Sequence, residues 1–178
     1  MQPNQSALIV AVPEAEPVVA AHRERLDRAA SWGVPAHVTV LYPFLPPSEI
    51  DEPARAAIAQ VALGVPAFFM TLRDVAWFGR RVLWLAPDPP EPFRLLTAAV
   101  IARFPQARPY DGAFADVVPH LTVGHDHPVD VLEAAAAGVE PHLPIHARVS
   151  SLRLIAAASA NPDCWVTLDE FPLGVSLG

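Results

Sequence analysis

The 178-residue chain contains no lysine, and all twelve of its basic residues are arginines. A Walker-type phosphate loop needs a lysine ammonium over the phosphates, and Schiff-base or lysyl-adenylate chemistry needs the amine as nucleophile. ATP-dependent ligation through a lysyl-adenylate is therefore excluded. Cysteine is almost as scarce: Cys164 stands alone, so no intrachain disulfide can form. That suits a reducing cytoplasm, and the apolar-flanked thiol beside Trp165 reads as a core position, not a nucleophile. Long apolar runs are missing too. The longest, Ala7 to Val12, falls far short of the roughly 20 residues of a membrane helix and lacks the basic flank of a secretory signal. The formal charge of −7 argues against broad contact with a nucleic-acid backbone, leaving room only for a local arginine-lined pocket.

With 52% apolar and 17% charged residues, the chain has the composition and length of one globular domain spanning residues 1–178. Twenty-one prolines punctuate it into short elements. Ala7–Val12 reads as a strand, Glu14 to about Ser31 as a helix stopped at Gly33, and Ala36–Tyr42 as a second strand. On that helix Val18, Val19, His22 and Leu26 mark the inner face, with Arg23, Glu24, Asp27 and Arg28 largely outside. A helix from Ser48 to Leu63 follows, then a hairpin of 66–78 and 81–85 turning at Gly79-Arg80. After a proline-rich break at 87–92 come a helix (93–104), a loop with Tyr110-Asp111-Gly112, a strand (120–123), a short helix (129–137) and closing strands near 146–156 and 165–168. The order is approximately duplicated, with quasi-repeats of about 1–86 and 87–178, and it points to an α+β architecture.

The duplicated element carries the chemistry. It reads His37-Val38-Thr39-Val40 in the first half and His120-Leu121-Thr122-Val123 in the second, 83 positions apart, with Pro35 and Pro119 just ahead. Alternate side chains of a strand share a face. Each motif thus presents an imidazole and a hydroxyl together while its Val or Leu residues anchor the other side. Two such strands side by side offer four polar groups to one cleft. An imidazole works as acid or base near neutral pH, and hydroxyls can donate to phosphoryl oxygens. The set suits phosphodiester chemistry without a metal.

At these residues the sequence resembles the two-histidine phosphoesterase superfamily, which includes the 2′-5′ RNA ligase-like proteins and the cyclic nucleotide phosphodiesterases. The opening strand and helix, the HVTVLYPF segment and the VVPHLTVGH segment carry the likeness over most of the chain. The resemblance implies a bilobed α+β fold, its two pseudo-symmetric lobes lining a central cleft with antiparallel sheets and holding helices outside. It implies His37 and His120 as paired acid and base and Thr39 and Thr122 as phosphate ligands. It further implies, as partner, a nucleotide or short RNA end bearing a 2′,3′-cyclic phosphate or 2′-5′ bond; from the motif chemistry no cofactor is expected, and from the lone cysteine the protein is read as cytoplasmic. Many relatives carry an arginine five residues after the second histidine, where this chain has His125. The matching place after His37 is Tyr42, which can stack on a base or pack.

The remaining candidates divide less cleanly. Tyr42 and Phe44 follow the first motif and are placed at the cleft rim; His125 and Arg81 are further candidates for substrate contact, and Arg80 shares that turn. Trp77, Phe78 and Trp84 are read as core, with base stacking the alternative. One of Arg148 and Arg153 is expected to face the cleft. His120, His125 and His127 raise a metal-dependent hydrolase as one rival, though no cysteine joins them and no metal ligand is assigned. A nucleotide- or RNA-binding protein that keeps the fold without turnover is the other. Gly174-x-Ser176-x-Gly178 spells a nucleophile elbow but lacks the helix that must follow. No heptad or apolar patch argues for an oligomer, so a monomer is the default.

Overall fold

The computed structural model describes residues 5–107, 117–158 and 161–175. Eight strands form one sheet, antiparallel at every pairing: β1 (Ser6–Ala11), β2 (His37–Leu41), β3 (Phe68–Phe78), β4 (Val82–Asp88), β5 (Leu121–His125), β6 (Ile145–Val149), β7 (Ser151–Ala158) and β8 (Asn161–Pro172). Among the described residues the α-helices are α1 (Glu16–Leu26), α2 (Arg28–Ser31), α3 (Glu52–Leu63), α4 (Glu91–Arg103) and α5 (Val129–Val139). The order across the sheet is β6-β3-β4-β5-β2-β1-β7-β8. The two lobes are its two halves, fused where β2 pairs with β5 at Val38 and Leu121.

Each lobe is built on a strand–helix–strand unit ending in a histidine motif, β1-α1-β2 and β4-α4-β5. The units are then laced together. β3 follows the first unit along the chain yet pairs with β4, and β7 follows the second yet pairs with β1. The helices cross over as well: Thr97 of α4 donates its hydroxyl to the Val40 carbonyl of β2 at 3.0 Å, while Leu26 of α1 packs on β5 at Gly124. A Cβ added at Gly124 would lie 2.7 Å from Leu132 of α5 and 3.1 Å from Leu26, so this glycine lets two helices approach one strand. The chain-half boundary read at 86/87 falls inside β4, the strand that corresponds to β1.

Local sequence explains the elements. Three helices begin Glu-Pro, at Glu16-Pro17, Glu52-Pro53 and Glu91-Pro92. Proline costs no hydrogen bond in the first turn, and a carboxylate there faces the positive end of the helix dipole. Asp51 caps α3 by accepting from the Ala54 amide. The strands alternate: Leu8, Val10, Val38, Val40, Leu83, Leu85, Leu121, Leu152 and Leu154 form the core beneath the helices. Each such side chain stabilises the fold by roughly 1.5–3 kcal/mol on burial. A smaller apolar cluster of Ala7, Ile9, Trp32, Val34, Ile155, Ala157 and Trp165 lies on the opposite face of the sheet.

Several boundaries differ from the sequence expectation. The first helix is interrupted at Asp27, whose backbone is extended (φ −126°, ψ 109°) and whose side chain caps α2 through the Ala29 amide. The single strand expected over 146–156 divides at Ser150 into β6 and β7, which end up in opposite lobes. β4 continues through Pro87, which pairs with Leu72. Cys164 is exposed, not core: it lies on β8 at the end of the sheet, and its neighbour Trp165 takes the buried side. Gly174 pairs by backbone with Pro66, and a Cβ there would lie 2.4 Å from the Leu63 carbonyl oxygen, a packing role unrelated to a nucleophile. Ser176, Gly178 and the Tyr110-Asp111-Gly112 loop lie outside the described residues.

Candidate active site

The two motif strands are neighbours at the middle of the sheet. Val38 and Leu121 are directly opposite. Carrying that antiparallel register one residue either way sets His37 level with Thr122 and Thr39 level with His120. All four side chains are on the face away from the helices, because Val38, Val40, Leu121 and Val123 are buried in the core on the other. The sequence expectation of one cleft with two imidazoles and two hydroxyls is met in placement.

The histidines are held alike. His37 Nδ1 lies 2.7 Å from the Pro35 carbonyl and His120 Nδ1 lies 2.8 Å from the Val118 carbonyl. A carbonyl only accepts, so Nδ1 carries the proton in both and Nε2 is the unprotonated nitrogen of the neutral ring. Each ring is thus oriented by the backbone two residues ahead of it. Both are drawn below the ordinary histidine value of 6.5. Burial lowers His37 most, to about 4, with the nearby Arg23 charge adding to it; the Pro35 carbonyl and Asp27 oppose, and His120 lowers it a little further. Burial also lowers His120, opposed by the Val118 carbonyl and aided by His125. At neutral pH both free imidazoles are mostly uncharged.

Their surroundings differ. Arg23 is only 2% exposed, although the helix pattern put it outside. Its Nε and Nη2 donate to Asp27 Oδ2 at 3.1 and 2.8 Å, and Nη2 also reaches the Val34 carbonyl at 3.3 Å. Asp27 is buried with it. Glu16 accepts from the Ala36 amide at 2.6 Å. Side chains of α1 and its C-terminal cap therefore pin the segment that leads into His37. Beside His120 there are rings instead. Phe78 and Trp84 stack at 4.6 Å, and each meets the His120 ring at a steep angle, at 5.0 and 5.9 Å. Sequence reading favoured core for both. Their contact with His120 arises because Trp84 pairs with Thr122 across β4–β5, a register no single strand reveals. Trp77, one residue before Phe78, packs against the core as read.

The other candidates separate. Tyr42 lines a recess with His37 and Thr39, and its hydroxyl donates to Gln5 at 2.5 Å. Phe44 is not at the rim: it is 7% exposed and set edge-on to Phe104 at 5.1 Å in the main core. The chain turns inward after Pro43, so the aromatic after the motif serves packing. His125 is exposed and 3.2 Å from Asp126, and Arg81 donates to the same carboxylate at 2.7 Å. These two candidates share one acidic partner because Val82 pairs with His125. Arg80 pairs with Glu133 at 3.8 Å on the outer surface. Of the late-strand arginines, Arg153 is on the cleft face: it pairs with Ile9, which pairs with Thr39. Its Nε lies 3.4 Å from Glu170. Arg148 is opposite Phe69 on β6, at the far end of the sheet.

Trp165 was noted in the sequence only as a neighbour of Cys164, yet it lines the recess beside His37. The signal available was the alternation of β7 and β8, which sets Trp165 opposite Ala157 on the cleft side. Among the described residues no group of three or more His, Cys, Asp or Glu side chains is arranged to hold a metal ion.

A curled antiparallel sheet with helices on one face is the fold of LigT-like two-histidine phosphoesterase structures. A family model described as the 2′-5′ RNA ligase superfamily matches residues 11–161, and the chain belongs to that superfamily. TT0787 of Thermus thermophilus has a similar fold, with a TM-score of 0.65 at 19% identity, covering 97% of this chain and 99% of that one. LigT of E. coli, in a crystal structure with NADP+, gives a TM-score of 0.60 at 21% identity, covering 98% and 99%. A crystal structure described only as a phosphoesterase gives 0.54 at 20% identity, covering 97% and 99%. No curated protein matches the sequence. No helix among the described residues is long and apolar enough to cross a membrane.

Proposed function

We propose that the protein is a phosphodiesterase acting, without a metal or other cofactor, on a 2′,3′-cyclic phosphate or a 2′-5′ linkage of a nucleotide or RNA end. The observation that carries this reading is the matched pair of imidazoles on adjacent strands. Each has Nδ1 bound to a backbone carbonyl, Nε2 without a hydrogen bond among the described residues, and a threonine on the same face. LigT is described in complexes with NADP+, 3′-AMP and ATP, which supports a nucleotide-sized ligand for this fold.

The division of labour follows the electrostatics. His37, with Arg23 behind it, is the harder to protonate and acts as general base. It removes a proton from the attacking water as the water oxygen bonds to phosphorus. His120 takes up a proton from solvent as the anionic phosphate binds beside it, and gives that Nε2 proton to the departing ribose oxygen as the P–O bond breaks. Thr39 and Thr122 donate to the non-bridging oxygens, where charge accumulates. The cycle leaves His37 protonated and His120 neutral, and exchange with solvent resets both. Arg81, paired with Asp126 at the rim beside His125, offers positive charge to an outlying phosphate, and Tyr42 borders the base.

Substrates differing in leaving group test this. A His120→Gln variant should lose about 10²–10⁴-fold on a diester with an alkoxide leaving group, and far less on one releasing p-nitrophenolate, which needs no proton. His37→Gln should lose a similar factor on both. Equal losses for His120→Gln on both substrates would reverse or void the assignment. Affinity for nucleotides with no turnover of any diester would make the protein a binding module.

A further inference from the structure

One row of residues runs across the cleft face of the sheet. His120 is level with Thr39, Thr39 pairs with Ile9, Ile9 with Arg153, and Arg153 with Glu170. An imidazole, a hydroxyl and a guanidinium are therefore in line, on β5, β2 and β7. Alternation fixes the face, because Leu152 and Leu154 on either side of Arg153 are buried in the core beneath the helices. Nothing in the chemistry above uses this arginine.

Arg153 is loosely held. Its Nε lies 3.4 Å from Glu170 Oε1 without a hydrogen bond, and that oxygen accepts from the Ser151 hydroxyl at 2.5 Å. Among the described residues the terminal nitrogens Nη1 and Nη2 have no partner either, and the side chain is 31% exposed. A guanidinium carries five N–H donors in a planar fork that matches a phosphate. Other arginines of the sheet face are engaged: Arg73 donates to Asp88 and Arg81 to Asp126. With Nε turned to β8, the two terminal nitrogens of Arg153 are its open end.

Distance decides what that end can reach. Neighbouring strands are about 4.8 Å apart, which puts β7 roughly 10 Å from β2. Ile9, between them, is 1% exposed and acts as a covered spacer. The span is too wide for one phosphate held at Thr39, and it suits two phosphates with a nucleoside between them. We propose that Arg153 anchors a second phosphate, the one on the 5′ oxygen of the nucleoside whose 2′,3′-phosphate is held between His37 and His120. The favoured substrates are then 2′,3′-cyclic nucleotides that are also phosphorylated at the 5′ position. The inference rests on the reading of the two histidines as the reacting centre, and it adds an anchor in the lobe opposite Arg81.

The test compares adenosine 2′,3′-cyclic phosphate with and without a 5′-phosphate, and calorimetric binding of adenosine 3′,5′-bisphosphate with that of adenosine 3′-monophosphate. Arg153→Met keeps the apolar stem and removes the fork. Arg153→Gln removes the charge but keeps a polar end, and urea unfolding shows which variants fold. For wild type the 5′-phosphate should raise kcat/KM about five- to twentyfold, chiefly through KM, as expected for charge-assisted hydrogen bonds at a partly exposed site. In a folded variant that ratio should fall close to one, and the bisphosphate should lose its advantage over the monophosphate in step. Added salt should shrink the wild-type ratio, since a partly exposed ion contact is screened; this arm decides if neither variant folds. A wild-type ratio near one, a ratio indifferent to salt, or a ratio that survives in a folded variant overturns the proposal. If wild type turns over no diester, the catalytic reading fails, and binding decides the anchor alone. A bisphosphate advantage lost in a folded variant, or shrunk by salt where none folds, upholds it; an absent or unchanged advantage overturns it.

Discussion

Behind His37 is a buried ion pair, Arg23 with Asp27, and a carboxylate, Glu16, that together fix the approaching backbone. Beside His120 are two stacked rings, Phe78 and Trp84. The hydrogen bond that orients each imidazole is the same to within 0.1 Å (2.7 against 2.8 Å), so the two halves hold their imidazoles alike while the surroundings differ. A charge and a ring wall do different things. The guanidinium disfavours a second positive charge next to it; the ring wall excludes water and offers a flat surface. A symmetric pair would have to break symmetry on the substrate, whereas this one has it broken before substrate arrives.

The largest stability effect should come from splitting the ion pair. Arg23→Met leaves the Asp27 carboxylate buried and alone, at a cost of about 3–5 kcal/mol, whereas Arg23→Met with Asp27→Leu should recover most of it. Urea unfolding of the two variants checks this, and equal losses would mean the pair contributes through packing only. Gly124→Ala comes next. With Leu132 and Leu26 too close for a Cβ, overpacking should destabilise by about 1–3 kcal/mol, read as a lowered midpoint in the same titration.

Protonation sharpens the comparison. The folded-state value of His37 is about 4, below its ordinary 6.5, so the unfolded chain binds that proton more tightly. Its contribution to stability is complete above about pH 6.5 and is lost as pH falls towards 4. His37→Gln should flatten the decline in unfolding free energy over that window. Replacing Arg23 and Asp27 together should leave a decline, shifted towards higher pH, since the larger charge opposing protonation has gone. The smallest effect is expected at the rim: Arg81→Ala, on an exposed side chain paired with exposed Asp126, should change stability by no more than about 0.5 kcal/mol. It should raise KM only for substrates carrying an additional phosphate.

Much of this was legible in the sequence for one physical reason. A strand repeats every two residues, so His-x-Thr with apolar residues between fixes which face the chemistry occupies, and two copies locate the cleft. Helical faces are less forthcoming. Arg23 and Asp27 were assigned to solvent because isolated charges belong there, yet paired charges can be buried, and pairing at i and i+4 looks the same on either face. Phe44 and Cys164 were misplaced because hydrophobicity says that a residue prefers to be covered, not which side of a turn or edge strand covers it. Trp84 and Phe78 reach His120 only through the pairing of β4 with β5, strands distant in sequence, and Trp165 comes beside His37 only because β7 pairs with β1, which no local pattern encodes. The exchange of β3 and β7 between lobes was hidden for the same reason.

The most direct test of the central claim is turnover in EDTA of a cyclic phosphate and a 2′-5′-linked dinucleotide by wild type, His37→Ala and His120→Ala. The account predicts that wild-type activity survives the chelator and that each substitution costs about 10²–10⁴-fold. Activity abolished by EDTA, or variants that match wild type, would contradict it.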